Sequence, residues 1–307
     1  MSTRSLKKLA LLLTFWIALH TSSLRAQILY PAGTSPVFVE ISNSGQFVDA
    51  GSSTASDTLL KTGAGTRMFW FPYKSAFRAG TVAGTQWDSS NLGSYSTAFG
   101  YNTTASGAYS TASGYNTTAS GWATVAFGIS TTASLNGASA FGMHTTASGR
   151  YSTASGYQSV ASNRSSMAFG EWDSASGGKS TASGSYNTAI GTASMVTGSD
   201  NTAYGNYSAA FGLATMAIGT SSTSFGYYTT ASAYEDFVIG RYNTGSAISG
   251  TSWNAADPLF EVGNGTSSTS KDALLLDKSG NMTVQTSVTT PTVIITTPSS
   301  DIPMFGS

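Results

Sequence analysis

The chain has 307 residues, of which 9% are charged, and its formal net charge is zero. That length suits one large domain or two to three small ones, and the charge balance supports neither a basic surface for nucleic acid nor a polybasic membrane patch. Cysteine is absent, which excludes a disulfide framework and cysteine-based zinc sites and fits a secreted bacterial protein that avoids thiols.

At the N-terminus, Arg4, Lys7 and Lys8 precede the apolar run from Leu9 to Leu19, and a polar stretch then ends in Leu24-Arg25-Ala26. Charged start, short apolar core and small final residue read as a secretory signal peptide over 1–26. An uncleaved anchor is the alternative, but the run is short against the ~20 residues that span a bilayer. No second segment approaches that length. The mature chain is therefore expected to be exported, to the extracellular space or the bacterial outer surface, with no transmembrane segment.

From 93 to 240 the sequence keeps a seven-residue register. Of the 22 positions reached by steps of seven through Gly100, 19 are Gly, the exceptions being Leu135, Asn163 and Ala233. Two positions earlier, 18 of 21 residues from Ala98 to Val238 are Ala. A flexible linker has composition without register, so YNTTASGAYSTASGYNTTASG (101–121) is not one. A heptad coiled coil fails as well: Gly would recur inside a helix at about 1 kcal/mol less favourable than Ala, without an apolar a/d pair. Thr and aromatic residues flanked by Gly predict short strands joined by tight turns. Gly100, Gly107, Gly114, Gly121, Gly128 and Gly142 are the expected turn residues, supplying positive φ.

The structural repeat is fourteen. Phe99, Phe127, Phe141, Phe169, Phe211 and Phe225 precede a Gly at spacings that are multiples of 14, whereas Ser fills the intervening phase at 106, 120, 134, 148, 162 and 176. Fourteen residues accommodate two strands of about five residues and two turns. This predicts an all-β, two-sided parallel β-roll (a β-solenoid) of about eleven coils, with ~4.8 Å per rung. Alternation along a strand sets Ala against its neighbours. With Ala inward, the interior is thin and filled by methyl groups, and the outer face of one strand carries the six Phe. An apolar stripe of that size is a candidate oligomer face. The competing arrangement turns Phe inward and Ala outward, in a fatter monomeric roll.

After the roll, 241–285 contains a hairpin pattern, Ala273–Leu276 and Asn281–Val284 flanking the turn Asp277-Lys278-Ser279-Gly280. Residues 286–307 form a Thr/Pro-rich tail.

The units YNTTASG (101–107), NTAIG (187–191), NTAYG (201–205) and SAAFG (208–212) resemble the YadA-like, or hemagglutinin-repeat, heads of trimeric autotransporter adhesins. The resemblance covers 93–240. The segment from Gly65 to Asp88, within an N-terminal β lead-in over 27–92, resembles the lead-in of secreted proteins carrying such repeats. The resemblance implies a left-handed parallel β-roll with fourteen residues per coil, a homotrimer, and a non-enzymatic role in attachment. The coiled-coil stalk and β-barrel anchor usual in that family are not read in this chain.

Catalytic and cofactor readings find little support. His144, the one histidine after the signal sequence, sits near a turn with no acid or special serine close in sequence. The eight charged residues of the array are not clustered as hydrolytic carboxylates, and no Asp recurs as in calcium-binding rolls. No enzyme activity, cofactor or metal is expected. Tyr101, Tyr115 and Tyr157 share one turn phase with Tyr227, with Trp122 and Trp172 nearby. They form a candidate ligand surface for an unidentified host or environmental partner, the alternative being aromatic residues that merely pack rung on rung. The Thr-x-Ser ladder from 104 to 148 allows an ice-binding reading, and a spacer or fibre segment without its own ligand is the remaining alternative to an adhesin.

Overall fold

The computed structural model describes residues 62–284, together with the backbone of a small antiparallel pair, Val39–Ile41 with Phe47–Asp49. The expected signal peptide (1–26) and Thr/Pro-rich tail (286–307) lie outside the described residues. The described chain is all β apart from two single-turn 3-10 helices, Pro72–Lys74 and Ser89–Asn91. It divides between Ala138 and Ser139 into two compact units.

In the first unit, Gly65–Phe71 and Ala76–Val82 form an antiparallel hairpin. Its second strand then pairs in parallel with Thr97–Tyr101, the first of three long strands; Thr111–Tyr115 and Val125–Ile129 follow. A second sheet holds Thr104–Ala105, Thr118–Ala119 and Thr132–Ala133. The second unit repeats this plan. Eight five-residue strands from Ser139–Met143 to Phe237–Arg241 alternate with seven two-residue strands from Thr146–Ala147 to Thr230–Ala231. Pro258–Asn264 continues the parallel ladder, and Asp272–Asp277 and Met282–Val284 close it in antiparallel order. This is a parallel β-solenoid of fourteen residues per coil, as the periodicity predicts, with ten two-strand coils in the two units together. Its second strand is two residues long, not about five, because both corners of each coil take extra residues.

The alanines point inward: Ala98, Ala112, Ala126 and their equivalents are fully buried and lie in register fourteen residues apart. A second inward row is polar. Each corner holds a residue in the left-handed region (Asn102, Tyr109, Asn116 and onward every seventh position), and the residue after it turns inward. That residue is Ser, Thr, Asn or Asp throughout, apart from Ala138. At one corner its hydroxyl donates to the carbonyl three residues back: Ser110 Oγ to Gly107 O at 2.6 Å, Thr124 Oγ1 to Gly121 O at 2.8 Å and Ser180 Oγ to Gly177 O at 2.7 Å. The interior is thus half methyl and half polar, where the sequence reading expects methyl groups alone.

At the other corner the inward groups form a ladder. Asp173 Oδ1 accepts from Asn187 N and Nδ2 at 2.9 and 3.0 Å. Asn187 Oδ1 accepts from Asn201 N and Nδ2, both at 3.2 Å, and Asn201 Oδ1 accepts from Thr215 N and Oγ1, both at 2.8 Å. In earlier coils this row holds Thr103, Thr117, Thr131 and Thr145, whose hydroxyls find no partner among the described residues. A buried hydroxyl left so costs about 1–3 kcal/mol.

The glycines require a correction. The left-handed turn residues are almost all non-Gly. Gly100, Gly114, Gly128 and Gly142 are instead the fourth residues of the long strands, with φ between 109° and 127°. Gly107 and Gly121 begin the turns with no positive φ. Close approach explains both sets: a Cβ on Gly100 would lie within 3.0 Å of Gly114 O, and one on Gly107 would strike Gly121 O. The strand phase, which adds the φ constraint, is Gly in every coil from Gly100 to Gly240. Leu135, Asn163 and Ala233 all fall in the turn phase, where only the spacing must relax.

Each unit buries charge at one end of its coils. In the first, Arg78 donates through Nη1 to Ser96 O at 2.9 Å and through Nη2 to Ala105 O at 2.9 Å; burial among neutral carbonyls lowers its pKa to about 10. Trp87, also fully buried, donates Nε1 to Thr103 O at 2.8 Å. In the second, Glu261 accepts from Asn243 Nδ2 at 2.6 Å, and burial raises its carboxyl to about 8. Burial likewise raises Asp236 to about 7, although it accepts from Ser232 N at 3.1 Å.

Two predictions follow from this packing. Gly184→Ala, which combines φ of 128° with a clash against Gly198 O, should lower the unfolding free energy by about 3 kcal/mol. Gly178→Ala, whose Cβ meets nothing closer than Asn163 Oδ1 at 3.9 Å, should change it little in the same denaturant titration. The raised carboxyls set the second prediction. Their folded pKa values exceed the unfolded ones, so the stability they contribute is complete below the unfolded values and is lost as pH rises through about 7 and about 8. The melting temperature should fall from mildly acidic to mildly alkaline pH, and Glu261→Gln should flatten the fall.

Candidate functional site

Two outward features of the coils hold the candidate residues. On the long-strand face, Phe99, Phe127, Phe141, Phe169 and Phe225 are 37–56% exposed and Phe211 is half-buried. Phe therefore points outward and Ala inward, which removes the fatter-roll alternative. The stripe is broken in places. Phe99 pairs with Ser113, which pairs with Phe127. Phe169 lies between Ser155 and Ser183. In the second unit a continuous run appears where Phe211 is paired with Phe225, Phe225 with Ile239 and Ile239 with Val262. There Phe211 and Phe225 are 6.3 Å apart, and Phe237 stacks on Phe260 at 5.9 Å.

The aromatic residues at the corners fall into two rows, one per turn of the coil. Tyr101 and Tyr115 stack at 5.1 Å and 11°. Trp122 belongs to the other row: Tyr95 stacks on Tyr109 at 4.9 Å, and Tyr109 meets Trp122 edge-on at 5.8 Å. In the second unit, His144 touches Tyr157, Tyr157 touches Trp172, and Trp172 stacks on Tyr186 at 6.0 Å and 7°. The structure thus brings Tyr157 and Trp172 together and separates Trp122 from Tyr101 and Tyr115. Stacked faces cover one another, so these rings offer edges and hydroxyls more than open platforms. The sequence reading misses Tyr95, Tyr109, Tyr151, Tyr186 and Tyr207. Their signal was available, since all stand two residues after the heptad position.

On the short-strand face, Thr104, Thr118 and Thr132 lie in register in the first unit. In the second unit that row reads Thr146, Val160, Ser174, Thr188, Thr202, Met216 and Thr230. Exposed Ile190, Tyr204 and Ile218 flank it, so it is no regular hydroxyl array. Among the described residues no group of three His, Asp or Glu is placed to hold a metal, and no helix is long and apolar enough to cross a membrane.

The alanine and polar ladders of this parallel solenoid repeat every fourteen residues and leave its large side chains outside. Residues 92–117 and 147–170 match the family model described as the YadA head domain repeat. These two segments are similar to that repeat, and the solenoid is consistent with it. No curated protein matches the chain.

The stacking has a measurable energy. A double-mutant cycle on Tyr101 and Tyr115, each replaced by Ala, should give a coupling of about 0.5–1.5 kcal/mol in unfolding titrations. Additive effects would show that the two rings do not support each other.

Proposed function

We propose that this chain is an exported, non-enzymatic adhesin whose solenoid head assembles as a homotrimer and attaches to a cell, matrix or other surface. The observation that carries this reading is the pair of YadA head repeats on a solenoid that keeps a fourteen-residue register. In support, the long-strand face exposes Phe99, Phe127, Phe141, Phe169 and Phe225, and association about a symmetry axis is the economical way to cover such side chains. Export rests on the signal-peptide pattern of 1–26. Three heads on one assembly would turn weak contacts into avidity.

A spacer or fibre segment without its own ligand is the second reading. The mutual covering of ring faces at Tyr101, Tyr115, Trp172 and Tyr186 favours it. Light scattering on the purified chain should give three times the monomer mass, and Phe169→Ser with Phe225→Ser should shift that mass toward the monomer. A monomeric parent chain would overturn the trimer. Cells displaying the protein should adhere to matrix-coated surfaces more than cells lacking it. Equal adhesion would favour the spacer.

A further inference from the structure

Only three of the eight charged residues between positions 93 and 240 are cations: Arg150, Arg164 and Lys179. The fold sets all three in one row of turns, in three successive coils of the second unit. The backbone fixes the stacking, because Ser165 N donates to Arg150 O and Lys179 N to Arg164 O, both at 2.8 Å. The three turns are therefore ~4.8 Å apart from one rung to the next. All three side chains are exposed, and none has an ion-pair partner among the described residues. Nor do the acids of the array neutralise them. Glu171 and Asp200 belong to the other row of turns, where Tyr186 N bonds Glu171 O and Asp200 N bonds Ser185 O. Asp173 is buried. Negative charge returns to the cation row at Glu235, four coils beyond Lys179.

An independent feature lies in the same row. Tyr151, beside Arg150, is 54% exposed and holds the left-handed corner at φ 59°. Tyr95 and Tyr109 occupy the equivalent corner elsewhere and stack on each other, but the equivalent residue of the coil after Tyr151 is Ser165. Tyr151 makes no ring contact among the described residues, so no aromatic neighbour covers its face.

We propose that the turn row of Arg150, Tyr151, Arg164 and Lys179 binds an anionic polysaccharide, with sulfate or carboxylate groups paired to the three cations and a sugar ring laid on Tyr151. Guanidinium groups match such oxyanions in a forked geometry, and Lys adds a point charge. Single file along the coils suits a linear polymer with charge recurring from sugar to sugar. A membrane surface calls for a cluster of about four to eight cations, and nucleic acid for broader positive charge. This proposal names a ligand class for the attachment proposed above, and its role in adhesion rests on that reading.

The test measures binding of the full purified chain to immobilised heparin, alginate and neutral dextran at low ionic strength, and to phosphatidylglycerol vesicles. Heparin or alginate should bind and dextran should not. Retention by heparin alone identifies sulfated polymers, and retention by alginate identifies uronate-rich ones. The combined variant Arg150→Gln, Arg164→Gln, Lys179→Gln should bind about tenfold more weakly, Tyr151→Ala should also weaken binding, and Arg150→Lys with Arg164→Lys should retain most of it. Unchanged melting temperatures would confirm that folding is intact, and the single variants Arg164→Gln and Tyr151→Ala serve if the triple variant does not fold. Retention of neither polyanion, undiminished binding by the folded variants, or a preference for vesicles over both polysaccharides would overturn the proposal. A parent chain that binds neither polyanion yet supports adhesion would sink this site and spare the adhesin reading. Intact polysaccharide binding without adhesion would do the reverse.

Discussion

The distance between backbones in successive coils is the constraint on which the rest of this structure depends. The long strand of one coil lies directly on that of the next, and at its fourth residue the two chains approach too closely for a Cβ. Gly100 and Gly114 in the first unit, and Gly142 through Gly240 in the second, meet this demand together with a positive φ. Because every coil must present glycine at the same height, coils cannot slip by one residue. The alanine rows and the outward phenylalanines inherit their register from that demand.

A roll this thin cannot stabilise itself by bulk hydrophobic burial. Alanine contributes little area per residue, and the other inward row is polar. The structure compensates by repetition: every inward Ser, Asn or Asp that bonds does so within its own corner or to the next rung. The ladder from Asp173 through Asn187 and Asn201 to Thr215 ties four rungs through groups that would be costly to bury singly. Apart from Asp173, the buried charged groups lie where the repeat gives way to other strands. Arg78 relies on carbonyl acceptors, whereas Glu261 and Asp236 are held near protonation at neutral pH. Such groups stabilise a defined end of the coils at the cost of sensitivity to pH.

Since repetition consumes the interior, variation is pushed outward, to the faces and corners. There the coils differ from one another: phenylalanine rungs alternate with serine rungs, stacked tyrosines give way to a cation row, and a hydroxyl row becomes apolar near Ile190, Tyr204 and Ile218. What distinguishes one coil from another is which side chains the regular scaffold displays.

The period of fourteen, the parallel solenoid and the inward alanines were legible in the chain, because a gapless register of Gly and Ala leaves one way to stack. Composition alone also showed that no large aliphatic core was available. Other features required the tertiary structure. The polar inner row was hidden because two adjacent threonines such as Thr103 and Thr104 look alike in sequence, yet the left-handed corner at Asn102 turns the first inward and leaves the second outside. Gly100, Gly114, Gly128 and Gly142 were assigned to turns on conformational grounds, whereas their positive φ lies mid-strand, and Gly107 and Gly121 begin turns without it. The grouping of Trp122 with Tyr95 and Tyr109, and of Arg150 with Arg164 and Lys179, depends on which residues fourteen apart face the same solvent. The sequence by itself determined the repeat and what could fill its interior. Only the stacked coils decided which exposed side chains meet, because neighbours across a rung are distant along the chain.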